Sequence, residues 1–514
     1  MNFFKNIINQ NNFFGIIVIS IFSLAVNQYY ANQGVFPHDS FSHFETGSMI
    51  LKGYHPFKDY WVVSGPFIDY SQAFLFLLFG VNWKTYVFHA SLINIVISIF
   101  TFLTFRNLGL NFKKSLFFSL CFSILAYPSS GTPFVDHHSS FFSLLAIYMI
   151  LMCINTESKY LTFFTPIFFI LAFFSKQVPA IYLMASTIPI FVFYIFFNKK
   201  TYLLPPLFYG SISFILMSFL FGLSVGINYS DFIEQYFVYP QSIASSRFEN
   251  LNVSIIGVMG NFKFILLGLL ILIIVSAKKI NKNRFLISKD TYISAIIISC
   301  ALILIFHQIL TRNQIFIFFL IPLILGVINI LVNQKFLSYF TIILCLLLTI
   351  KYHERFNEGR KFHEMQDVNL SKAVDAKLID NKLDGLKWIS PQFKEDPMNE
   401  IKIINEIKTY LKKDKRKKMV LGNYPFLSAI IGENLYSTTR WHVLDGTDYP
   451  LPQSSYFESY RNLTEKVIAN NNIKVIYSIF PVTPENIYSL INKTCLKEKK
   501  INEFFVKFEF KKCE

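Results

Sequence analysis

Residues 13–41 read FFGIIVISIFSLAVNQYYANQGVFPHDSF. An almost unbroken apolar run over 13–31 gives way within a few residues to Phe36-Pro37-His38-Asp39-Ser40-Phe41. A run of that length reads as a helix crossing a bilayer, and Asp39 stands where the chain leaves it. Lys5 precedes the run as in a signal peptide, but Asn27-Gln28-Tyr29-Tyr30 makes a poor cleavage site, so the segment reads as a retained first span. Only ten carboxylates occur in the first 351 residues. Ionisable groups near lipid are costly, and those that persist tend to have a function.

The apolar pattern continues outward from this stretch. The chain has 514 residues, 53% of them hydrophobic, with 60 Phe. Its mean hydropathy is +0.42, which excludes an ordinary soluble globule. Spans are expected at about 13–31, 84–105, 115–127, 139–155, 161–175, 178–197, 203–227, 255–277, 291–310, 314–333 and 336–351, about eleven in all. The segments 115–127 and 161–175 fall short of the roughly 20 residues a membrane-normal helix needs. Basic residues crowd one set of short loops, among them Lys5, Arg106, Lys113, Lys114, Lys159, Lys199, Lys200, Lys278 and Lys279. That bias places the N-terminus inside and everything after residue 351 outside. On this topology Asp39, Glu45, Asp59, Asp69, Asp136, Asp231, Glu234 and Glu249 all fall on the outer side.

Net charge is +16, divided between the two parts of the chain: 21 Lys+Arg against 10 acids gives +11 before residue 352, and 27 against 22 gives +5 after it. Neither balance calls for nucleic acid. Of the six cysteines, Cys121, Cys153, Cys300 and Cys345 lie in expected spans and read as small apolar side chains. Cys495 and Cys513 lie in the tail, where an oxidising compartment would allow them to pair.

Three parts are expected: a transmembrane part over 1–351 with a long first outer loop (32–83), a polar linker over 352–397, and an outward-facing α/β domain over 398–514. In the first loop, Asp39 to Lys52 reads as a short amphipathic helix with Phe41, Phe44, Met49 and Ile50 available for a membrane-facing side. Ile68 to Phe79 is apolar but too short to span, and should lie along the outer surface or re-enter. The outer loop 228–254 is long enough to cap a site. In the tail, helices are expected at 400–413, 426–431, 457–470 and 485–492, and strands at 418–422, 473–479 and 504–510.

Two readings of Asp39 stand together: a helix N-cap, and a general base at the membrane surface. Lys176, between two apolar runs, reads on position alone as a snorkelling lysine, and alternatively as a ligand for a lipid phosphate. Arg247, Arg312 and Lys58 are further cations of that kind. Asp136 and His137 open a span at an outer turn, where capping is the ordinary role and acceptor binding the functional one. Glu45, Asp59, Tyr60 and Trp61 are candidates for contact with substrate, the two aromatic residues by stacking on a sugar ring or by joining an interfacial belt. No cofactor is required. A divalent metal is compatible with His38, His43 and His138, although no ligand spacing marks a site. Gly422-Asn423-Tyr424-Pro425 and Thr439-Arg440-Trp441-His442 fall at strand ends, where α/β domains place ligands, and suit acceptor recognition.

The order of these features resembles the GT-C superfamily of integral membrane glycosyltransferases, in the branch of protein mannosyltransferases and lipid A aminoarabinose transferases. A first helix is followed by an outer Asp39, then Leu51-Lys52-Gly53-Tyr54-His55-Pro56, Asp59-Tyr60-Trp61 and Gly65-Pro66 leading to an apolar helix. Asp136 opens the fourth span, and Phe174-Ser175-Lys176-Gln177 follows the fifth. The resemblance covers roughly residues 13–200. It implies a polytopic α-helical membrane protein with a C-terminal soluble α/β domain, Asp39 as the catalytic carboxylate and Lys176 as the phosphate ligand. It further implies a polyprenyl-phosphate-linked sugar as donor, a glycan, lipid or protein as acceptor, and a bacterial inner membrane with a periplasmic tail. Many family members carry Asp-Glu at the first site; here Ser40 follows Asp39 and the nearest second acid is Glu45. A transporter or flippase of lipid-linked sugars, or a membrane-anchored envelope assembly protein, are the alternatives. Transporters usually place ionisable groups near the midplane within internal repeats, and this chain shows no repeat.

Overall fold

The computed structural model describes residues 10–249, 251, 253–282, 288–311, 317–332 and 334–512. Helices occupy all eleven expected segments. Among the described residues, eight helices are long and apolar enough to cross a membrane: Gln10–Ala31, Trp83–Asn107, Val135–Thr156, Gln177–Phe197, Thr201–Ser224, Ile255–Lys279, Lys289–Thr311 and Lys335–His363. The three that fall short are Phe112–Leu125, Lys159–Ser175 and Ile317–Leu331.

The contacts divide the chain into two compact units, each built from three separate segments. The first unit comprises Met1–Asn32, Val87–Ser218 and Leu251–Asp367. Its central helix is Val135–Thr156, in which every residue from Val135 to Ile154 is buried. Buried and half-buried polar side chains tie the helices together. Asn27 Nδ2 donates to Ser91 Oγ at 2.9 Å, Asn94 Nδ2 to the Ser123 carbonyl at 3.1 Å, and Lys114 Nζ to Asn329 Oδ1 at 3.1 Å. Hydrogen bonds of this kind hold helices together where lipid offers no hydrophobic drive for packing. Arg360 is buried and donates to the carbonyls of Pro128, Ser129 and Ser130, closing the turn before the central helix.

The second unit comprises Gln33–Tyr86, Phe219–Asn250 and Val368–Glu514. The boundary expected near residue 351 therefore differs from the one the contacts draw: the first outer loop and the 219–250 loop are structural parts of the tail domain. Residues 368–397 are no bare linker either. They hold a two-stranded ladder of β1 (Val374–Asp375) and β2 (Lys387–Trp388), and Leu383, Leu386, Trp388 and Ile389 are fully buried. The larger sheet has the order β3 (Lys418–Leu421), β4 (Val475–Ile479), β6 (Phe505–Phe510), β5 (Leu496–Lys500). β3 and β4 are parallel, with Lys418 opposite Val475, and the other pairings are antiparallel. β5 carries no apolar alternation. Its Leu-Lys-Glu-Lys-Lys sequence is that of a charged edge strand, which resists pairing with other chains. Cys495, just before it, is disulfide-bonded, and Cys513 lies outside the described residues.

The helix Pro37–Leu51 begins with Pro37 in its first turn and Phe36 at the N-cap. Asp39 is thus a first-turn residue rather than the cap. Phe41, Phe44 and Met49, expected to face lipid, are buried. Phe41 packs on Trp83, Trp388 and Phe426 at ring separations of 5.0, 5.9 and 4.5 Å. An amphipathic stripe says that one face is covered, not whether protein or lipid covers it. The next helix, Pro66–Phe79, starts from Gly65 in the left-handed region (φ 77°), a conformation open to glycine, and buries Ile68, Asp69, Gln72 and Phe76. Its other face leaves Phe74, Leu77, Leu78 and Phe79 exposed.

Candidate functional site

Three groupings carry chemistry, one in the first unit and two in the second. In the first unit the chain leaves helical geometry between Lys159–Ser175 and Gln177–Phe197. Lys176 is extended (φ −165°, ψ 135°), and Val178, which precedes Pro179, sits at φ −113°, ψ 125°, the region a following proline enforces. The break presents the Lys176 ammonium to Asp136, in the first turn of Val135–Thr156, where a carboxylate also complements the helix dipole. Lys176 Nζ donates to both Asp136 oxygens at 2.8 Å, and His307 Nε2 lies 2.9 Å from Asp136 Oδ1. Ser139 Oγ donates to the Lys176 carbonyl at 2.9 Å, which fixes the break. The sequence candidates Asp136 and Lys176 are therefore brought together, and Asp136 is an ion-pair partner rather than a helix cap. His307 was not singled out from the sequence. An ionisable residue alone in an apolar helix is the signal that would have found it. His137 is buried, with Ser129 Oγ 3.0 Å from its Nε2, and His138 lies between Tyr127 and His89.

In the second unit the carboxylates of the first outer loop separate into two kinds. Asp69 is fully buried and bound on all sides: Arg440 Nη2 at 3.0 Å, His43 Nδ1 at 2.7 Å, Tyr60 OH at 3.4 Å and Thr46 Oγ1. Burial alone would raise its carboxyl, but the Arg440 guanidinium and the His43 and Thr46 hydrogen bonds outweigh that and hold it below the usual carboxylate range. Burial, helped by Arg440, pulls His43 down to about 4, so its imidazole is neutral at pH 7 and donates to Asp69. Glu45 is buried and accepts from the Ala429 N–H at 3.3 Å; burial pushes its carboxyl up. Asp59 accepts from the His55 N–H at 2.8 Å, closing a turn. Asp39 is different. Its side chain is 26% exposed in the first turn of its helix, with His38 Nε2 3.9 Å from Oδ1.

The remaining sequence candidates fall as follows. Tyr60 and Trp61, expected to meet a sugar, are buried: Tyr60 binds Asp69, and Trp61 packs against Tyr239 and Tyr460. Large aromatics near Gly and Pro are as readily core as surface, and here the domain needs them inside. Lys58 is exposed, Arg247 sits partly exposed in the last turn of Tyr239–Glu249, and Arg312 lies outside the described residues. Among the described residues no group of three or more His, Cys, Asp or Glu could hold a metal ion. His43 and His138, named as candidate ligands, have protein partners instead.

The third grouping is a cavity of about 310 Å³ at the carboxyl ends of the parallel strands β3 and β4, where α/β sheets place ligands. Gly422 permits the chain to turn there, because a Cβ would stand 2.6 Å from Ile479 Cβ. Beyond it, Asn423 and Tyr424 line one wall and Phe480 and Phe504 another. Glu400, buried at the base, accepts from Trp388 Nε1 at 2.8 Å, Ser390 Oγ at 2.7 Å and Tyr424 OH at 3.1 Å. Burial pushes the Glu400 carboxyl up, against the pull of those three donors. His38, next to Asp39, also lines this cavity.

Apolar helices of spanning length joined to a soluble α/β domain define a multi-pass membrane protein. No family model and no curated protein matches the chain. Among solved structures it is similar to the oligosaccharyltransferase of Archaeoglobus fulgidus in complex with Zn and sulfate, at 12% identity and TM-score 0.42, covering 93% of this chain and 69% of that one. It is also similar to the oligosaccharyltransferase AglB of the same organism in complex with an inhibitory peptide and a dolichol-phosphate, at 12% identity and TM-score 0.41, covering 94% and 71%. Likenesses at that level say nothing about the residues or chemistry of this chain.

Proposed function

We propose that this protein is a GT-C-type glycosyltransferase that moves a sugar from a polyprenyl-phosphate carrier to an acceptor on the outer side of a bacterial inner membrane. The observation that carries the proposal is Asp39. It follows the first span by eight residues and sits partly exposed in a helical first turn, while Glu45 and Asp69 of the same loop are buried. A base must reach substrate, and of these three Asp39 alone keeps a solvent-facing carboxylate.

In this reading Asp39 accepts the proton of the acceptor hydroxyl as its oxygen attacks the anomeric carbon. The bond from that carbon to the phosphate oxygen breaks, and the polyprenyl phosphate leaves with the bonding pair. One such displacement inverts the anomeric centre. Lys176, with Lys58, Arg247 and Arg312 as further cations, stabilises the leaving phosphate. Since Lys176 is already paired with Asp136, a phosphate would share or displace that carboxylate, so the pair keeps the ammonium ordered before donor arrives. His307 steadies Asp136 from its other side.

The test compares cell-envelope glycans by mass spectrometry in cells carrying no copy, the wild-type chain or Asp39→Asn. A glycan present only with the wild-type chain is expected, the variant being inserted in the membrane at normal abundance. A fully active Asp39→Asn would remove this carboxylate from the mechanism.

A further inference from the structure

The cavity beside β3 and β4 has a composition that selects its ligand. Its rings are Phe36, His38, Phe393, Tyr424, Phe480 and Phe504, and among the described residues no Lys or Arg lines it. A phosphate-bearing donor would find no Lys or Arg there and would face the Glu400 carboxyl, so the cavity suits an uncharged molecule. Phe504 anchors the aromatic wall, with Phe393 at 6.3 Å and Phe480 perpendicular to it at 6.2 Å. Phe480 is 50% exposed, so its ring is accessible to a ligand entering the cavity. Opposite this apolar surface stand polar groups with capacity left over. A carboxylate has about four lone-pair sites, and Glu400 uses three of them on Trp388, Ser390 and Tyr424. All three donors are neutral, so the buried charge has no cation partner among the described residues. Asn423 Oδ1 has no hydrogen-bond partner among the described residues, and Gln392 offers a second amide. Buried polar atoms left open in a native cavity ask for a ligand or ordered water.

A molecule with an apolar face and a rim of hydroxyls matches both walls at once. We propose that this cavity is a carbohydrate subsite, in which one sugar ring stacks on the Phe480–Phe504 wall and donates a hydroxyl to Glu400. The volume lies at the bottom of the range for ligand cavities, roughly 300–1,000 Å³, which admits a ring or two and not an extended chain. His38 lines the cavity, and its neighbour in sequence is Asp39. On the transferase reading, the sugar held here is the acceptor. That last step rests on the transferase reading; the binding of a sugar ring does not.

The test uses the full-length protein in lipid nanodiscs, with methyl glycosides of glucose, mannose, galactose and N-acetylglucosamine as probes and saturation-transfer NMR as the readout. At least one glycoside should bind. Phe480→Ala should weaken it about 10-fold or more, which corresponds to about 1.4 kcal/mol. Tyr424→Phe, which keeps the ring and removes one donor to Glu400, should alter affinity less than loss of the ring. Phe480 is half exposed, so its variant tests the site even where Tyr424→Ala or Glu400→Gln fails to fold. Absence of binding by the whole panel, or affinity unchanged in Phe480→Ala, overturns the proposal, as does binding of a Ser/Thr-rich peptide in place of the glycosides. Glycoside binding without any transfer in cells would remove the transferase reading alone. Transfer without glycoside binding would remove the subsite alone.

Discussion

Replacing Arg440 by Met tests how the second unit is held together. The Arg440 and Asp69 side chains are 1% and 0% exposed and lie 3.0 Å apart. Removing one partner of a buried pair leaves the other charge uncompensated, at a cost of about 3–5 kcal/mol. The bond from Arg440 Nη2 to the Ser64 carbonyl at 2.7 Å is lost as well, which places the effect toward the upper part of that range. The cost should shrink in acid. Arg440 is one of the groups holding His43 down, so without it His43 protonates more readily and covers Asp69. All four tryptophans of the chain, Trp61, Trp83, Trp388 and Trp441, lie in this unit and none in the other. Intrinsic fluorescence during denaturant titration of the purified protein in detergent therefore reports this unit selectively. Arg440→Met should lower the transition by the stated amount at pH 8, and Asp69→Asn with Arg440→Met should recover most of it. A loss below about 1 kcal/mol, or equal losses with and without the Asp69 charge, would refute the argument.

Other outcomes follow from the same geometry. Burial pushes Asp448 up to about 6, above its unfolded value, so the folded state holds the proton between roughly pH 4 and 6. The contribution of Asp448 then falls as pH rises through that window, by about 3 kcal/mol. Asp448→Asn should therefore gain on the wild type between pH 4 and pH 7 in the fluorescence titration, contributions from His43 and His442 being common to both. On the proposed function, Lys176→Met should raise the KM for lipid-phosphate donor about 10–100-fold, the worth of one charge-assisted hydrogen bond. Adding Asp136→Asn should restore stability in a thermal-shift assay without restoring donor affinity. Gly422→Ala sets a Cβ against Ile479 and should cost about 1–3 kcal/mol by overpacking, read from the same tryptophan signal.

The helical part of the fold was legible because apolar runs of spanning length have few other uses, and each expected span corresponds to a helix. In the tail, Ile401, Ile404, Ile407 and Leu411 marked the helix Pro397–Lys413, and all four are buried. What the sequence left unsaid is long-range. Nothing local shows that Asp69 meets Arg440, or that Trp61 belongs to a core with Tyr239 and Tyr460. Periodicity reports that a face is covered and is silent on the cover, so Phe41 and Phe44 read as lipid-facing. The edge strand β5 had no alternation to find. Among candidate residues, Asp136 and Lys176 were each visible as ionisable groups at span ends, and their pairing was not. The Glu400 cavity escaped notice because its walls come from six separate stretches, near residues 37, 392, 400, 424, 480 and 504.

The partner that Asp69 requires lies 371 residues further along the chain. At about 5–20 residues per second, translation needs on the order of tens of seconds to deliver it. Through that interval the first loop is already made, with an unneutralised acid and several aromatic rings awaiting a scaffold that does not yet exist. Until that span is made, the Asp69 carboxylate lacks the guanidinium that the folded unit supplies.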